Sequence, residues 1–231
     1  MARKKIVFVI VEGPSDQEAL ALQLSRLFDP QAVHVHIMHR DITSDLGITP
    51  ANVISKVSHE IQQFAESLHI KSAHFQEIIH LVDMDGAYIP NRAVVFDESA
   101  HHPRYSPTEI RTANKDGIEQ RNLRKSANLD RLCSVRLVWN VPYQMYYMSC
   151  NLDHVLYNKL NSSDKEKEND AHAFARKYKD NTPGFLEFIS ESDFSVTEGY
   201  LESWEYIRQD LHSLERHTNL GLCFHESSTV F

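Results

Sequence analysis

The sequence is poor in cysteine, lacks a long apolar run and carries no overall excess of positive charge. Its three cysteines are widely spaced and form no CxxC pair, which argues against both a disulfide framework and a zinc knuckle. No stretch approaches the roughly 18 apolar residues that a membrane span requires. No small-residue cleavage site follows the short apolar stretch near the N-terminus. We therefore expect a cytoplasmic protein without a membrane partner.

Motifs of several enzyme classes are also missing. There is no GxSxG motif of a serine hydrolase, and none of the 14 histidines has the spacing of a zinc site. The P-loop pattern GxxxxGK[ST] is absent as well. An ATPase would therefore have to be a separate partner protein. Assembly of the chain into a homo-oligomer is the alternative that we keep open.

The net charge of −8 at pH 7 argues against a surface coated with basic residues. Segment 104–136 differs from the rest, because its eight Lys and Arg against four Asp and Glu make it +4 and leave −12 for the remainder. A solvated helix face is the ordinary explanation of such a segment. The alternative is a nucleic-acid contact, for which the candidates are Lys115, Arg121, Arg124 and Lys125.

The pattern of apolar residues predicts the fold class. Over 231 residues, 42% of them hydrophobic, the chain can form one domain spanning 1–231. Apolar β-branched runs alternate with helical periodicity, which predicts an α/β fold with a mainly parallel sheet of about four strands between helices. Strands are predicted at 5–11, 32–38 and 77–86, and helices from a Ser15–Glu18 capping box and from Thr49 to His69.

The second half of the sequence is less regular. Residues 87–131 are polar and contain prolines, and we interpret them as an insertion with a basic helix at 117–132. The alternation resumes with a predicted strand at 135–141 and a predicted helix at 148–160, followed by a charged run at 163–170. A capping box at Ser195 and Glu198 predicts a C-terminal helical extension over 195–231. Its apolar stripe comprises Tyr200, Trp204, Ile207, Leu211 and Leu214.

Two of the predicted strands end in carboxylates. Glu12 ends the first strand, and Asp83 and Asp85 end the third. Because ligands bind outside the carboxyl ends of strands in an open parallel sheet, these side chains should meet at one edge. Residues two apart in an extended segment point to the same side, so Asp83 and Asp85 should converge while Met84 faces the core.

A cation should accompany these acids. Asp16, four residues past Glu12, can reach the same region, although an Asp in a first helical turn is also a common cap. Four carboxylates at one edge would repel one another without a positive charge among them. Because every candidate ligand is an oxygen, we expect Mg²⁺ or Mn²⁺, and a pair of such ions can clamp a phosphodiester. The expected catalytic residues are Glu12, Asp83 and Asp85.

This constellation resembles the Toprim domain of topoisomerases, primases, small ribosomal-RNA maturases and the OLD (overcoming lysogenization defect) nucleases. The matching elements are a strand ending in Glu12-Gly13 with Asp16 four residues past Glu12, and a strand ending in Asp-x-Asp-Gly at 83–86. The segment VEGPSDQEAL is most similar to the OLD nucleases. The resemblance covers residues 5–86. It implies a Toprim-like, Rossmann-like sheet, magnesium at the Asp-x-Asp pair, and acid/base or metal-binding work for Glu12.

In the nuclease branch of this family a further acid follows a later strand, and Asp153 in the segment NLDHVL could supply it. A helix cap or a surface acid is the alternative for Asp153. Our first hypothesis is a stand-alone, metal-dependent nuclease for DNA or RNA with the metal ligands Glu12, Asp16, Asp83, Asp85 and Asp153. The second is a non-catalytic Toprim-like module that binds nucleic acid or a partner protein, for example in phage defence. The third is a hydrolase or phosphotransferase for small nucleotides.

Overall fold

The computed structural model describes residues 4–28 and 33–226. Its strands are β1 (Lys5–Val11), β2 (Val33–His39), β3 (Phe75–Asp83), β4 (Val94–Phe96), β5 (Arg104–Tyr105), β6 (Ile110–Thr112), β7 (Leu137–Val138), β8 (Val141–Ser149) and β9 (His217–Thr218). Its helices are α1 (Pro14–Leu27), α2 (Val53–Ser67), α3 (Lys115–Cys133), α4 (Leu152–Tyr157), α5 (Asp164–Tyr178), α6 (Thr182–Glu191), α7 (Tyr200–Ile207) and α8 (Leu222–Glu226).

The main sheet has six strands in the described part of the chain. Their order is β2-β1-β3-β8-β7, with β9 paired to β8. β2, β1, β3 and β8 run parallel to their neighbours, whereas β7 and β9 are short antiparallel additions to β8. The predicted α/β class with a mainly parallel sheet is therefore confirmed.

Helices cover both faces of this sheet, which explains the continuous apolar run of β1. Phe8 and Ile10 pack into the cluster that contains the apolar sides of α2, α3 and α7. Val7 and Val9 pack on the opposite face against α1, α4, α5 and α6. A strand covered on both faces has no solvent side that needs polar residues. Among the described residues, no helix has the length and apolar character to cross a membrane.

The predicted strand at 135–141 is wrong, because the chain reverses within it. Trp139 and Asn140 have positive φ values of 51° and 59° and connect β7 to β8 in a tight antiparallel hairpin. The parallel strand of the sheet is β8, which follows this turn. The predicted helix at 148–160 is wrong at both ends. Met148 still belongs to β8, and α4 covers only Leu152–Tyr157.

The insertion at 87–131 contains a second sheet that the sequence did not predict. β4, β6 and β5 lie side by side in that order, and each has only two or three residues, which is too short to show a clear alternation. The predicted helix at 117–132 is present as α3, and it is slightly longer at both ends. Asn114 caps α3 by accepting a hydrogen bond from the backbone N–H of Gly117 at 3.0 Å.

Two predicted helix starts are also wrong. α1 begins at Pro14 rather than at Ser15, and the carboxylate of Asp16 accepts a hydrogen bond from the N–H of the N-cap Gly13 at 2.8 Å. α2 begins after Asn52, not at Thr49, because the 49–52 segment forms a turn of its own. The side-chain oxygen of Asn52 accepts from the N–H of Thr49 in that turn at 2.8 Å.

The C-terminal extension is only partly helical. α7 starts after Gly199 instead of at Ser195 and ends at Ile207, and Leu214 lies in a separate 3₁₀ turn. The chain then returns to the main sheet as β9. Trp204 is nevertheless buried in the core, as the stripe indicated. Residue 32 of the predicted second strand and residues 227–231 of the predicted extension lie outside the described residues.

Candidate functional site at the carboxyl edge of the sheet

The carboxyl ends of β1 and β3 open into an acidic cavity of about 690 Å³. Glu12 follows β1 directly and Asp83 is the last residue of β3. Both line the cavity together with Asp16 and Asp85, so four of the five predicted metal ligands face one space. Asp41, which follows β2, is a further acid in the lining that no motif had indicated.

Asp85 reaches this cavity by a route that differs from the predicted extended segment. β3 ends at Asp83, and Asp85 adopts a left-handed conformation with φ of 48°. Its N–H donates to the carbonyl oxygen of Cys150 at 2.6 Å, which ties the turn to the end of β8. Met84 is fully buried in the core, as expected. The Asp-x-Asp pair therefore converges through a fixed turn instead of through strand periodicity.

Gly86 continues the same turn. Its φ is 68°, and a Cβ atom at this position would lie 2.8 Å from Cδ2 of Leu214. A left-handed backbone together with this close approach permits only glycine without local movement. The sharp exit of the chain after the second acidic motif is thus fixed by both backbone conformation and packing.

A buried lysine lies between two of the predicted ligands. The side chain of Lys125, on α3, has no exposed surface, and its Nζ atom is 2.5 Å from Oδ2 of Asp85 and 3.3 Å from Oε2 of Glu12. Burial alone would lower the pKa of Lys125, but the carboxylates of Asp85 and Glu12 raise it above its usual value. The cation expected among the acids is therefore supplied in part by the protein itself.

The two partners of Lys125 respond in opposite directions. Burial raises the pKa of Glu12 to about 8, and the ammonium of Lys125 offsets only part of that effect. Burial would also raise the pKa of Asp85, but Lys125 and Arg121 lower it below its usual value. The difference follows the geometry, because the contact of Lys125 with Asp85 is the shorter one. Glu12 also accepts a hydrogen bond from Oγ1 of Thr43 at 3.0 Å.

Two further acids in the cavity have raised pKa values. Burial and the nearby carboxylates of Glu12 and Asp16 raise the pKa of Asp83 well above its usual range. Burial raises the pKa of Asp16 to about 6, although the N–H of Gly13 and the charge of Lys167 act against this shift. The lysines at the edge therefore do not offset the burial of all of its carboxylates.

The predicted nucleic-acid contacts on α3 lie in different environments. Arg121 is turned inward, where it donates to the carbonyl oxygen of Asp85 at 2.7 Å and to the hydroxyl of Tyr105 at 2.6 Å. Arg124 donates to the carbonyl oxygen of Ser44 at 3.0 Å. Lys115 is 40% exposed and lies 3.7 Å from a carboxylate oxygen of Glu119 one turn along the helix. Arg121 and Lys125 therefore support the acidic turn.

Asp153 lies beside the cavity rather than in its lining. It is in the first turn of α4 and only 5% exposed, and its Oδ2 atom is 3.5 Å from Nζ of Lys167. Its other oxygen is buried and has no hydrogen-bond partner among the residues that the structure describes. α4 is tied to the site because Oδ1 of Asp83 accepts a hydrogen bond from the N–H of Leu152 at 3.0 Å.

Lys167 is a site residue that the sequence did not single out. It lies on α5, in the charged run 163–170, and lines the acidic cavity. Ala171, Phe174 and Tyr178 on the same helix are buried and follow Lys167 at intervals of four and three residues. A lysine in register with an apolar stripe at helical spacing is the signal that could have identified it.

The donors at this edge suit a hard divalent cation. All of them are carboxylate oxygens, and the pKa values of Glu12, Asp16 and Asp83 are raised. Within 4–28 and 33–226, the buried Oδ1 atom of Asp153 has no hydrogen-bond partner. As they lie, no three His, Cys, Asp or Glu side chains within residues 4–28 and 33–226 are arranged to hold one ion. Metal binding would therefore require carboxylates at this edge to rotate.

Comparisons with known proteins identified no relative. A scan against protein-family models, a search of curated proteins and a search of solved structures each found no match. The function therefore has to be argued from the residues at this edge and their geometry.

Proposed function

We propose that the protein is a metal-dependent nuclease of the Toprim type, which hydrolyses phosphodiester bonds in DNA or RNA. The observation that supports this proposal most strongly is the cluster of Glu12, Asp83 and Asp85 in one cavity beside the buried Lys125. The cluster follows the carboxyl ends of two parallel strands, where open α/β sheets bind their ligands. Oxygen donors for a hard cation are the component that metal-assisted phosphodiester hydrolysis requires.

The acids divide the proposed work between proton transfer and metal binding. Glu12, whose pKa is about 8, can take up or release a proton near neutral pH. Asp83 and Asp16 would hold Mg²⁺ or Mn²⁺, with Asp153 as a candidate for a second site. Such an ion, when bound, polarises a phosphoryl oxygen and lowers the pKa of water.

The basic residues would position the acids and the substrate. Lys125 holds the carboxylate of Asp85 in place and maintains its charge. Lys167 is 38% exposed at the cavity, so its ammonium can leave Asp153 and contact a phosphate oxygen of the substrate. Compact point charges of this kind suit phosphate binding.

A cleavage assay tests this proposal. Purified protein is incubated with DNA and RNA, both single-stranded and duplex, in Mg²⁺, in Mn²⁺ and in EDTA. We expect cleavage that requires the metal and that falls at least about a hundredfold in Asp83→Asn, because loss of one electrostatic or acid–base contribution costs about that much. Glu191→Gln is the matched control, since Glu191 is an exposed acid at the end of α6. Equal activity of Asp83→Asn and the wild type would refute the catalytic role.

A second candidate function is a non-catalytic module that binds nucleic acid or a partner protein. One observation favours it: the ammonium of Lys125 already neutralises part of the charge on Glu12 and Asp85, as a structural salt bridge would. Binding of nucleic acid without turnover in either metal, unchanged by Asp83→Asn, would support the module and exclude the nuclease.

The proposed setting is the cytoplasm, where substrate nucleic acid is present. The thiols of Cys150 and Cys223 are buried, which suits a reducing compartment. A separate ATPase partner or self-association would be compatible with this setting.

A further inference from the structure

The acidic cavity adjoins a second one. This second cavity, of about 930 Å³, lies between the insertion and the start of α5. The two cavities share three lining residues, Asp85, Asp164 and Lys167. We refer to these two adjoining cavities together as the trough, and the candidate catalytic acids lie at one end of it. Because a single small-molecule site occupies about 300–1,000 Å³, the trough is larger than one nucleotide requires.

Hydrogen bonds join the insertion side of the second cavity to the segment before α5. The side chain of Asn161 accepts a hydrogen bond from the N–H of Tyr105 at 2.8 Å and donates to its carbonyl oxygen at 2.9 Å. The hydroxyl of Tyr105 in turn accepts from Arg121, which also binds the carbonyl oxygen of Asp85. The position of the Tyr105 ring is thus coupled by direct hydrogen bonds to the turn that carries the acid.

The outer part of the trough differs chemically from the acidic end. Its insertion wall presents the imidazoles of His101 and His102, the guanidinium of Arg104 and the ring of Tyr105, and the first three of these residues are exposed. Flat rings on which bases stack, with a few cations for the backbone, are the usual features of single-strand binding sites.

The geometry points to a single-stranded polynucleotide as the occupant of this trough, with its bases against the insertion wall and the phosphate to be cleaved at Asp85. This inference rests on the proposed nuclease function and names its substrate class. Arg104 and Lys167 are the proposed phosphate contacts at the outer end and in the middle. The exposed rings of His101 and His102 are the proposed stacking surfaces.

Charge favours a single strand over a duplex. A duplex carries one negative charge per about 1.7 Å of its axis, twice the linear density of one strand at the same rise. The protein has a net charge of −8, and the second cavity alone is lined by Asp85, Asp164 and Glu166 beside Arg104 and Lys167. An acidic protein with so few cations in its groove therefore repels a duplex more strongly than a single strand.

Binding and cleavage are measured separately to test this inference. Binding is followed by fluorescence anisotropy with a short labelled oligothymidylate and with a duplex of the same length, in Ca²⁺ without Mg²⁺. The test variant is Arg104→Gln combined with His101→Ala and His102→Ala. Arg92→Gln is the matched control, because Arg92 is an exposed arginine of the same insertion that lines neither cavity.

We expect the wild type to bind the single strand more tightly than the duplex. The triple variant should bind the single strand at least about tenfold more weakly, and Arg104→Gln alone should reduce the salt slope by about 0.7, as for one lost phosphate contact. The control should match the wild type. Equal affinity for both nucleic acids, or a triple variant that binds like the control, overturns the inference.

The nuclease proposal can fail independently of this result. Selective single-strand binding through the trough without metal-dependent cleavage would support the trough as the binding site and refute the nuclease function. If the triple variant cleaves as efficiently as the control in the presence of metal, the nuclease function is supported and the trough is refuted as the binding site.

Discussion

Replacing Lys125 tests whether the acidic edge depends on a buried cation. In Lys125→Met the apolar stem is retained, but the carboxylates of Asp85 and Glu12 lose an ammonium that lies 2.5 Å and 3.3 Å from their oxygens and has no exposed surface. Removing one partner of a buried ion pair costs about 3–5 kcal/mol, because the remaining charge is left without compensation. We therefore expect the free energy of unfolding to fall by about this amount at pH 8.

The pH dependence of this loss gives a second readout. Without Lys125, burial raises the folded-state pKa of Asp85 above its unfolded value, as it already does for Glu12. A carboxyl group with a raised folded-state pKa destabilises the protein at high pH, and this cost disappears as the pH falls and the group is protonated. The difference between variant and wild type should therefore be larger at pH 8 than at pH 5.

Urea unfolding followed by circular dichroism at both pH values measures these differences. Lys115→Met is the matched control, because Lys115 lies on the same helix and makes only a partly exposed contact of 3.7 Å with Glu119. Such contacts contribute about 0.5 kcal/mol or less. If Lys125→Met cost no more than this control at pH 8, our reasoning about the buried ammonium would be refuted.

Three further predictions concern other parts of the structure. Burial lowers the pKa of His80 to about 3. As the pH falls from 7 to 5, protonation of this histidine in the unfolded state should remove about 2 kcal/mol from the free energy of unfolding. His80→Gln should lack this loss in urea unfolding, and a variant with the same pH dependence as the wild type would contradict the argument. Gly86→Ala should lower the free energy of unfolding by about 1–3 kcal/mol, because Gly86 has a positive φ and a Cβ there would contact Leu214. Gly47→Ala should lower it less, because a Cβ at Gly47 would meet one described atom, at 3.7 Å. Equal losses in the two variants would count against the argument. Lys167→Met should raise KM for a nucleic-acid substrate by at least about tenfold, and steady-state kinetics showing no change would exclude a phosphate contact.

The sequence predicted the sheet and the meeting of its acids for a clear physical reason. β1 and β3 are buried on both faces, so their apolar runs are long and the polar residues that follow them mark the strand ends. Parallel strands bring these ends to one edge, and Glu12 and Asp83 share a cavity as that rule requires.

Features that depend on distant contacts or on backbone conformation could not be predicted in this way. The hairpin at Trp139 and Asn140 contains no glycine, so the apolar run around it was indistinguishable from a strand. The left-handed conformation of Asp85 depends on contacts that are distant in sequence, with the end of β8 and with Arg121 on α3. Asp85-Gly86 is a local signal for a turn, but the contacts that fix the direction of this turn have no local signal.

The inward direction of Lys125 had a partial signal. The buried positions of α3 include Ile118, Asn122, Lys125, Leu129 and Leu132, which follow one another at intervals of three and four residues. A lysine in this stripe indicates a buried cation with an acidic partner. The identity of that partner depends on the insertion folding back across 40 residues to Asp85, and spacing alone does not give such a contact.

Divalent-cation binding at the carboxyl edge tests the central claim most directly. Isothermal titration with Mn²⁺ compares the wild type with Asp83→Asn and with the exposed control Glu191→Gln. We predict that the wild type and the control bind Mn²⁺ with the same affinity, and that Asp83→Asn binds it at least about tenfold more weakly, a difference of about 1.4 kcal/mol. Equal binding by all three proteins, or no binding by the wild type, would contradict the account.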